Sequence, residues 1–342
     1  MIDNTLKTLH ERVHGSLAGL AIGDAMGMPT EFMTPAQIGQ SYGWVDRLVN
    51  PHENHFHHGL PAGRITDDTG QALALCRAYL GQGGLTPQTM ARELLAWADQ
   101  EPYLHQLVGP NTARALGRLR RGADPRLSGR EGSTNGAAMR APVVGMVHPG
   151  KPEACLPDVL SMCLPTHGTS PAISGAAAVA CAVAEALRNG ASLESILEAA
   201  RQGADAGYTA GNREGTWKWS TPLSGRIQLA VQLVNQSNGT EQALRALYDF
   251  VGVDMLVAES VASAFGVVLL AGGDPYRAIC YGANIGGDTD TIAAIAGSVC
   301  GAWQGIHAIP IDLLSRVEEL NQLDLASTAS RLAGLFVQEG AG

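Results

Sequence analysis

Two short stretches of this chain gather residue types that bind hard cations. In Gly286-Gly287-Asp288-Thr289-Asp290-Thr291, two acids and two hydroxyls sit on a glycine turn that runs into the small-residue, helix-forming segment Ile292-Ala293-Ala294-Ile295-Ala296-Gly297. Aspartates two apart on a continuous helix point to separate faces. Both reach one point only if Asp288 lies in the turn or at the N-cap and Asp290 in the first turn, where free N–H groups and the positive end of the helix dipole favour ionised acids. Taken alone, the stretch reads equally well as an acid-rich cap with Asp290 and Thr291 facing water.

Ile65-Thr66-Asp67-Asp68-Thr69-Gly70 repeats this chemistry ahead of a second helical run, Gln71 to Leu80. Thr66 is a natural N-cap, with Asp67 and Asp68 in the first turn. In a chain with only 16% charged residues, two matching starts favour a shared site over two separate caps. If Thr66, Asp67, Asp68, Asp288, Asp290 and Thr291 meet, four carboxylates are forced together, and bound cations make that arrangement tolerable. Such donors suit Mg²⁺, Mn²⁺ or Ca²⁺ rather than zinc, which prefers Cys and His. Two divalent ions would balance four negative charges, orient a sugar diol, polarise a leaving group and lower the pKa of a bound water.

Other groups are candidates to work beside such a centre. Glu31, delivered by a Gly/Pro-flanked exit from the first helix, is a candidate base or charge stabiliser. The stretch from Gly129 to Arg140, with Asn135-Gly136 at its turn, has the composition that lets backbone N–H groups approach a phosphate or sugar, and equally that of a tight turn before a buried helix. His167, ahead of a long apolar helix, reads as either a satisfied helix-start histidine or a ligand-facing one. His52, His55, His57 and His58 lack metal-ligand spacing and are expected on a surface loop. Trp217 and Trp219 are expected to plug a core edge.

The elements that must position these groups are helices. Leu6, Leu9, Val13, Leu17, Leu20 and Ala21 recur at helical spacing from Leu6 to Ala25. The run from Phe32 to Arg64 reads as a long loop. Further helices are expected at Thr86 to Asp99, Asn111 to Arg121, Ser174 to Arg188, Leu193 to Ala204, Ile227 to Gln236, Thr240 to Phe250, Ser260 to Ala271, Pro275 to Tyr281, Thr291 to Trp303 and Asp312 to Leu320. Tyr208 to Pro222 is expected as a connecting segment. Period-2 runs of β-branched residues are few, no linker divides the 342 residues, and no fixed-period repeat appears. The reading is therefore one all-α domain spanning 1–342.

The 42 glycines, with aromatics at only 5%, suit close helix contact rather than a bulky aromatic core. A formal charge of −9 and the absence of Lys/Arg stripes argue against nucleic-acid binding; the run Arg114, Arg118, Arg120 and Arg121 reads as a solvated helix end. The six cysteines are scattered, without a CxxC pair, and read as buried thiols. The polar N-terminus lacks a signal-peptide core and the apolar runs break before membrane length, so a cytoplasmic location and no membrane partner are expected.

In order along the chain, Gly23-Asp24-Ala25-Met26-Gly27 with Glu31, Thr66-Asp67-Asp68-Thr69, Asn135-Gly136-Ala137-Ala138-Met139-Arg140, Thr166-His167 and Gly287-Asp288-Thr289-Asp290-Thr291 resemble the signature of the ADP-ribosylglycohydrolase family. That family includes dinitrogenase reductase-activating glycohydrolase and the ADP-ribosyl-acceptor hydrolases. The resemblance implies an all-helical fold with a binuclear Mg²⁺ centre, or Mn²⁺ in its place, at the bottom of an ADP-ribose cleft. It implies Thr66, Asp67, Asp68 and Asp290 on one ion and Asp288, Asp290 and Thr291 on the other, with Asp290 bridging. Glu31 matches the family's catalytic or lid glutamate. Asn135 and Gly136 would lie along the distal ribose and phosphates, and His167 close to the phosphate or ribose side.

The reaction implied is hydrolysis at the anomeric carbon of ADP-ribose on an acceptor, either a protein side chain such as arginine or a small metabolite. This differs from the glycosidase scheme in which two carboxylates flank the bond without metals. Glu131 is unassigned: a second acid or a solvent-facing charge. Two other classes fit the same residues, a non-catalytic ADP-ribose-binding or crystallin-like scaffold and a metal-dependent phosphohydrolase.

Overall fold

In the computed structural model, which describes residues 2–339 and the side chains of 8–335, eight helices frame the acidic residues. They are α1 (Ile2–Gly27), α2 (Pro35–Tyr42), α3 (Asp67–Leu80), α4 (Ser170–Ala186), α5 (Leu193–Glu214), α6 (Val257–Leu270), α7 (Pro275–Asn284) and α8 (Thr289–Gln304). Others, among them Pro87–Gln100, Pro110–Arg120, Leu223–Gln236 and Leu325–Glu339, pack around them. The described residues contain no strand, only isolated bridges at Thr134–Leu256 and Thr169–Thr216. This is the all-α fold expected.

Glycine spacing brings the two ends of the chain together. Gly15, Gly19, Gly23 and Gly27 recur every fourth residue, so they line one face of α1. A Cβ added at Gly15 would lie 2.6 Å from the Gly301 carbonyl oxygen, and one at Gly19, Gly23 or Gly27 would run into the backbone of Gly297, Ala293 and Asp290. The α1 and α8 backbones therefore touch along their length, antiparallel, and the C-terminal end of α1 meets the N-terminal end of α8. Val13, Leu17, Leu20 and Ala21 are buried as expected; the side chain of Leu6 lies outside the described ones. Ser16 Oγ and Ser298 Oγ meet across the seam at 2.8 Å, which satisfies two buried hydroxyls.

Behind this pair, every residue of α4 is buried, as its small apolar composition predicts, and α5 packs along it. All six cysteines are buried free thiols, also as expected.

Three parts of the sequence reading need correction. The segment from Phe32 to Arg64 is not all loop: Thr34 caps α2 in a capping box with Gln37, with Pro35 at the first helical position. The segment at Tyr208 begins as helix, because α5 runs on to Glu214. Trp217 and Trp219 then follow in the short stretch after Gly215 and are 64% and 79% exposed, so they do not plug a core edge. Helices at Leu156–Cys163 and Leu325–Glu339 are additional.

Candidate active site

The two acidic turns meet where α1, α3 and α8 converge. Thr66 caps α3, its hydroxyl accepting the Asp68 N–H at 3.3 Å, and Asp67 and Asp68 occupy the first turn. Gly286 and Gly287 have φ of +89° and +69°, a backbone that favours glycine, and the turn delivers Asp288 to the N-cap position of α8. Asp288 makes no side-chain capping bond there. Its Oδ2 accepts the Asn135 side-chain amide instead, so its carboxylate is directed to a tertiary partner rather than to its own helix. Asp290 follows in the first turn, its Oδ1 accepting the Thr291 N–H at 2.9 Å. Thr291 Oγ1 donates to Asp68 Oδ1 at 3.4 Å and so links the two helix starts.

These groups line one cleft of about 280 Å³. Glu31, Asp67, Asp68, Asn135, Gly136, His167, Asp288, Asp290 and Thr291 all face it, whereas Thr66 sits outside its lining and serves the α3 start. One oxygen each from Glu31, Asp288 and Asp290 lie within 4.8 Å of one another, the spacing of a group able to hold a metal ion. A larger cavity of about 650 Å³ lies between α2, α7 and the Thr240–Ala246 helix and contains none of these acids.

The electrostatics of the cleft are unbalanced. Arg140 is the one fully buried Arg or Lys among the described residues, against buried Asp24, Asp67, Asp68, Asp288 and Asp290 and a Glu31 side chain 13% exposed. Burial, followed by the charge of neighbouring carboxylates, pushes Glu31, Asp67, Asp68 and Asp290 well above the ordinary carboxyl range. Burial raises Asp288 as well, against the opposing bonds from Asp290 and Asn135. Asp68 Oδ2 is buried with no hydrogen-bond partner. An orphaned carboxylate oxygen beside other acids, at the positive ends of two helices, fits a divalent cation: hard oxygen donors converge and lack positive charge.

Three residues that the sequence reading leaves without a role prove structural to the site. Asp24, on α1, accepts the Thr66 N–H at 2.9 Å, the Thr69 N–H at 3.0 Å and the Thr69 hydroxyl at 2.5 Å, fastening the start of α3 to the glycine seam. Arg140 donates to the Gly136 carbonyl at 2.7 Å, to Thr166 Oγ1 at 2.7 Å and to Gln71 Oε1, while Gln71 Nε2 donates to Asp67 Oδ2 at 2.7 Å. A buried cation thus orients Asp67 through one amide. The third residue is His57. Expected on a surface loop, it is 1% exposed, with Nε2 2.7 Å from Glu31 Oε2. His52 and His58 do face solvent.

On the other wall, Asn135 Nδ2 also reaches Ser260 Oγ at 2.9 Å. A Cβ at Gly136 would lie 2.6 Å from His167 Cε1, so the glycine admits the imidazole. His167 is buried with Nδ1 2.9 Å from Thr166 Oγ1 and Nε2 3.1 Å from Thr134 Oγ1. Burial, helped by the Arg140 charge, pushes its pKa well below the ordinary value and keeps it neutral. Glu131 pairs with Arg118 and is 61% exposed, which settles it as a solvent-facing charge.

An all-helical frame thus folds two acidic helix starts onto a glutamate-bearing loop. The ADP-ribosylglycohydrolase family model matches residues 5–342, and the chain belongs to that family, whose members are glycosidic-bond hydrolases. It is 36% identical over 327 residues, 94% of this chain and 96% of the other, to the protein YegU of Escherichia coli, which has no assigned function. It is 33% identical over 161 residues to the ADP-ribosyl-[dinitrogen reductase] glycohydrolase of Rhodospirillum rubrum, covering 47% of this chain and 52% of that one. Over 90% of this chain it is 26% identical to the ADP-ribosylarginine hydrolase Tri1 of Pseudomonas putida, 74% of which is covered. A solved structure titled an ADP-ribosylglycohydrolase-related protein complex superposes with a TM-score of 0.69 at 26% identity, covering 96% of this chain and 98% of that one.

Proposed function

We propose that this protein hydrolyses the bond between the anomeric carbon of ADP-ribose and an acceptor, either an arginine-type protein side chain or a small ADP-ribosyl compound. The observation that carries the reading is the meeting of Glu31 with the aspartates of both helix starts in one cleft whose opposite wall holds Asn135, Gly136 and His167. Asp67, Asp68, Asp288, Asp290 and Thr291, with Thr66 at the α3 start, are the residues that would hold two Mg²⁺ ions. Such ions, when bound, neutralise the acids and supply Lewis-acid polarisation of the ribose diol and of a water.

The chain's own groups then account for the rest. Positive charge grows on the anomeric carbon toward an oxocarbenium ion, and fixed carboxylates that need no reorganisation favour that state over the ground state. Glu31 accepts a proton from the attacking water at its carboxylate. Burial and the nearby Asp288 raise its proton affinity, which suits a group that must take a proton and release it to the departing acceptor. Asn135, tied to Asp288 and Ser260, and the neutral His167 offer fixed polar contacts to the ribose and phosphates. The cleft volume suits the reacting ribose and its adjoining phosphate, with the remainder of the nucleotide along the open mouth.

The test is a Mg²⁺-dependent assay on a panel of ADP-ribosyl acceptors and metabolites with product identification. Free ADP-ribose plus intact acceptor is expected. Released phosphate would instead identify a phosphohydrolase, and Mg²⁺ binding without turnover of any member would identify a binding scaffold.

A further inference from the structure

We propose that His57 is the positioning residue for Glu31: it holds the carboxylate through Oε2 and so fixes the direction in which the group faces the cleft. The assignment deepens the reading of Glu31 as base and rests on it. His57 Nε2 lies 2.7 Å from Glu31 Oε2, while its other ring nitrogen, Nδ1, is buried without any hydrogen-bond partner. A neutral imidazole has one proton to place. On Nδ1 it would be a buried donor with no acceptor; on Nε2 it is donated to the carboxylate, and only that placement satisfies both groups. Burial keeps the ring neutral, so it has a single proton to place.

The rest of the histidine loop grips the same residue. His55 Nε2 is 2.7 Å from the Glu31 carbonyl oxygen, and the Phe56 ring stacks on Phe32 with centroids 5.6 Å apart. From the opposite side, the Phe32 N–H donates to the Gly287 carbonyl at 2.6 Å, and the Gly287 N–H donates to the Met33 carbonyl at 2.9 Å. Phe32 holds φ at +59°, a left-handed conformation rare for a bulky residue, which such a clamp sustains. Glu31 is thus pinned between the histidine loop and the turn that carries Asp288. One oxygen each of Glu31, Asp288 and Asp290 lies within 4.8 Å of the others, so the direction in which Glu31 is held decides how it meets the aspartates.

Two variants and one spectrum test the proposal. His57→Phe is expected to lower kcat by about 100-fold, the effect of a misplaced reacting group, with KM and Mg²⁺ affinity unchanged. His57→Gln, whose amide can donate to the same oxygen, is expected to recover most of that loss. Independently of activity, ¹⁵N side-chain spectra of the metal-free protein are expected to show His57 protonated at Nε2, with that proton lost to exchange in Glu31→Ala. Full activity in His57→Phe, no rescue by His57→Gln at wild-type melting temperature, or an Nδ1-protonated ring would each overturn the proposal. If the wild-type protein turns over no ADP-ribosyl compound, the functional reading fails by itself, and the spectrum still decides whether His57 holds Glu31.

Discussion

Asp290 and Glu31 bring oxygens within 4.8 Å of each other, yet their removal should separate binding from chemistry. Asp290→Ala is expected to abolish both Mg²⁺ binding by calorimetry and turnover, because Asp290 lies between the Asp288 turn and the Asp68 start; unchanged Mg²⁺ affinity would remove it from the metal site. Glu31→Gln preserves shape and leaves the aspartates in place. It should bind Mg²⁺ normally and lose roughly 10²- to 10⁴-fold in kcat, the range general acid–base groups supply. Near-normal turnover would take Glu31 out of the mechanism. What the sequence discloses at this scale follows from distance along the chain. The Asp67/Asp68 and Asp288/Asp290 pairs are legible because each is a compact helix-start pattern. Asp24, Arg140 and His57 are not, because their partners lie 42, 69 and 26 residues away and no local spacing encodes such contacts.

At the scale of elements, the helices that carry the site were readable from apolar period and caps, and the misreadings have local causes. The capping box at Thr34 lies in a short polar run without a long apolar period to mark a helix. Helix α5 continued through Gly207 and Gly211 because both sit against α4, where contact outweighs the roughly 1 kcal/mol cost of each glycine in a helix. The α1–α8 seam gives the sharpest prediction at this scale. Alanine normally stabilises a helix relative to glycine by about 1 kcal/mol. Gly19→Ala should nevertheless lower stability by about 1–3 kcal/mol in urea unfolding, since its Cβ would press into the Gly297 backbone. A stabilised variant would show that the two helices do not touch there.

For the whole molecule, the acid cluster ties stability to both pH and cation. Glu31, Asp67, Asp68 and Asp290 have folded pKa values raised above those of the unfolded chain. Their contribution to stability is therefore fully present below the unfolded carboxyl value of about 4 and is lost as pH rises through the folded values. Metal-free protein should lose stability as pH rises above about 4. Mg²⁺ should restore it where the acids are ionised, by about 2.7 kcal/mol at one hundred times its Kd. The measurement is the difference in melting temperature with Mg²⁺ and with chelator, expected to grow as pH rises and the acids ionise. A difference independent of pH would disconnect the ion from these carboxylates. No described helix is long and apolar enough to cross a membrane.

The seam between α1 and α8 also sets an order of events during synthesis. Helix α1 ends at Gly27 and its partner begins at Thr289. At about 5–20 residues per second, the ribosome takes on the order of tens of seconds to make the intervening chain. Throughout that interval the glycine face of α1 has no partner, and Asp24 can fasten α3 but meets none of the α8 acids. The cleft is then completed only once α8 has emerged. A nascent chain stalled before Thr289 would hold the first acidic turn without the second, and so no complete cation site.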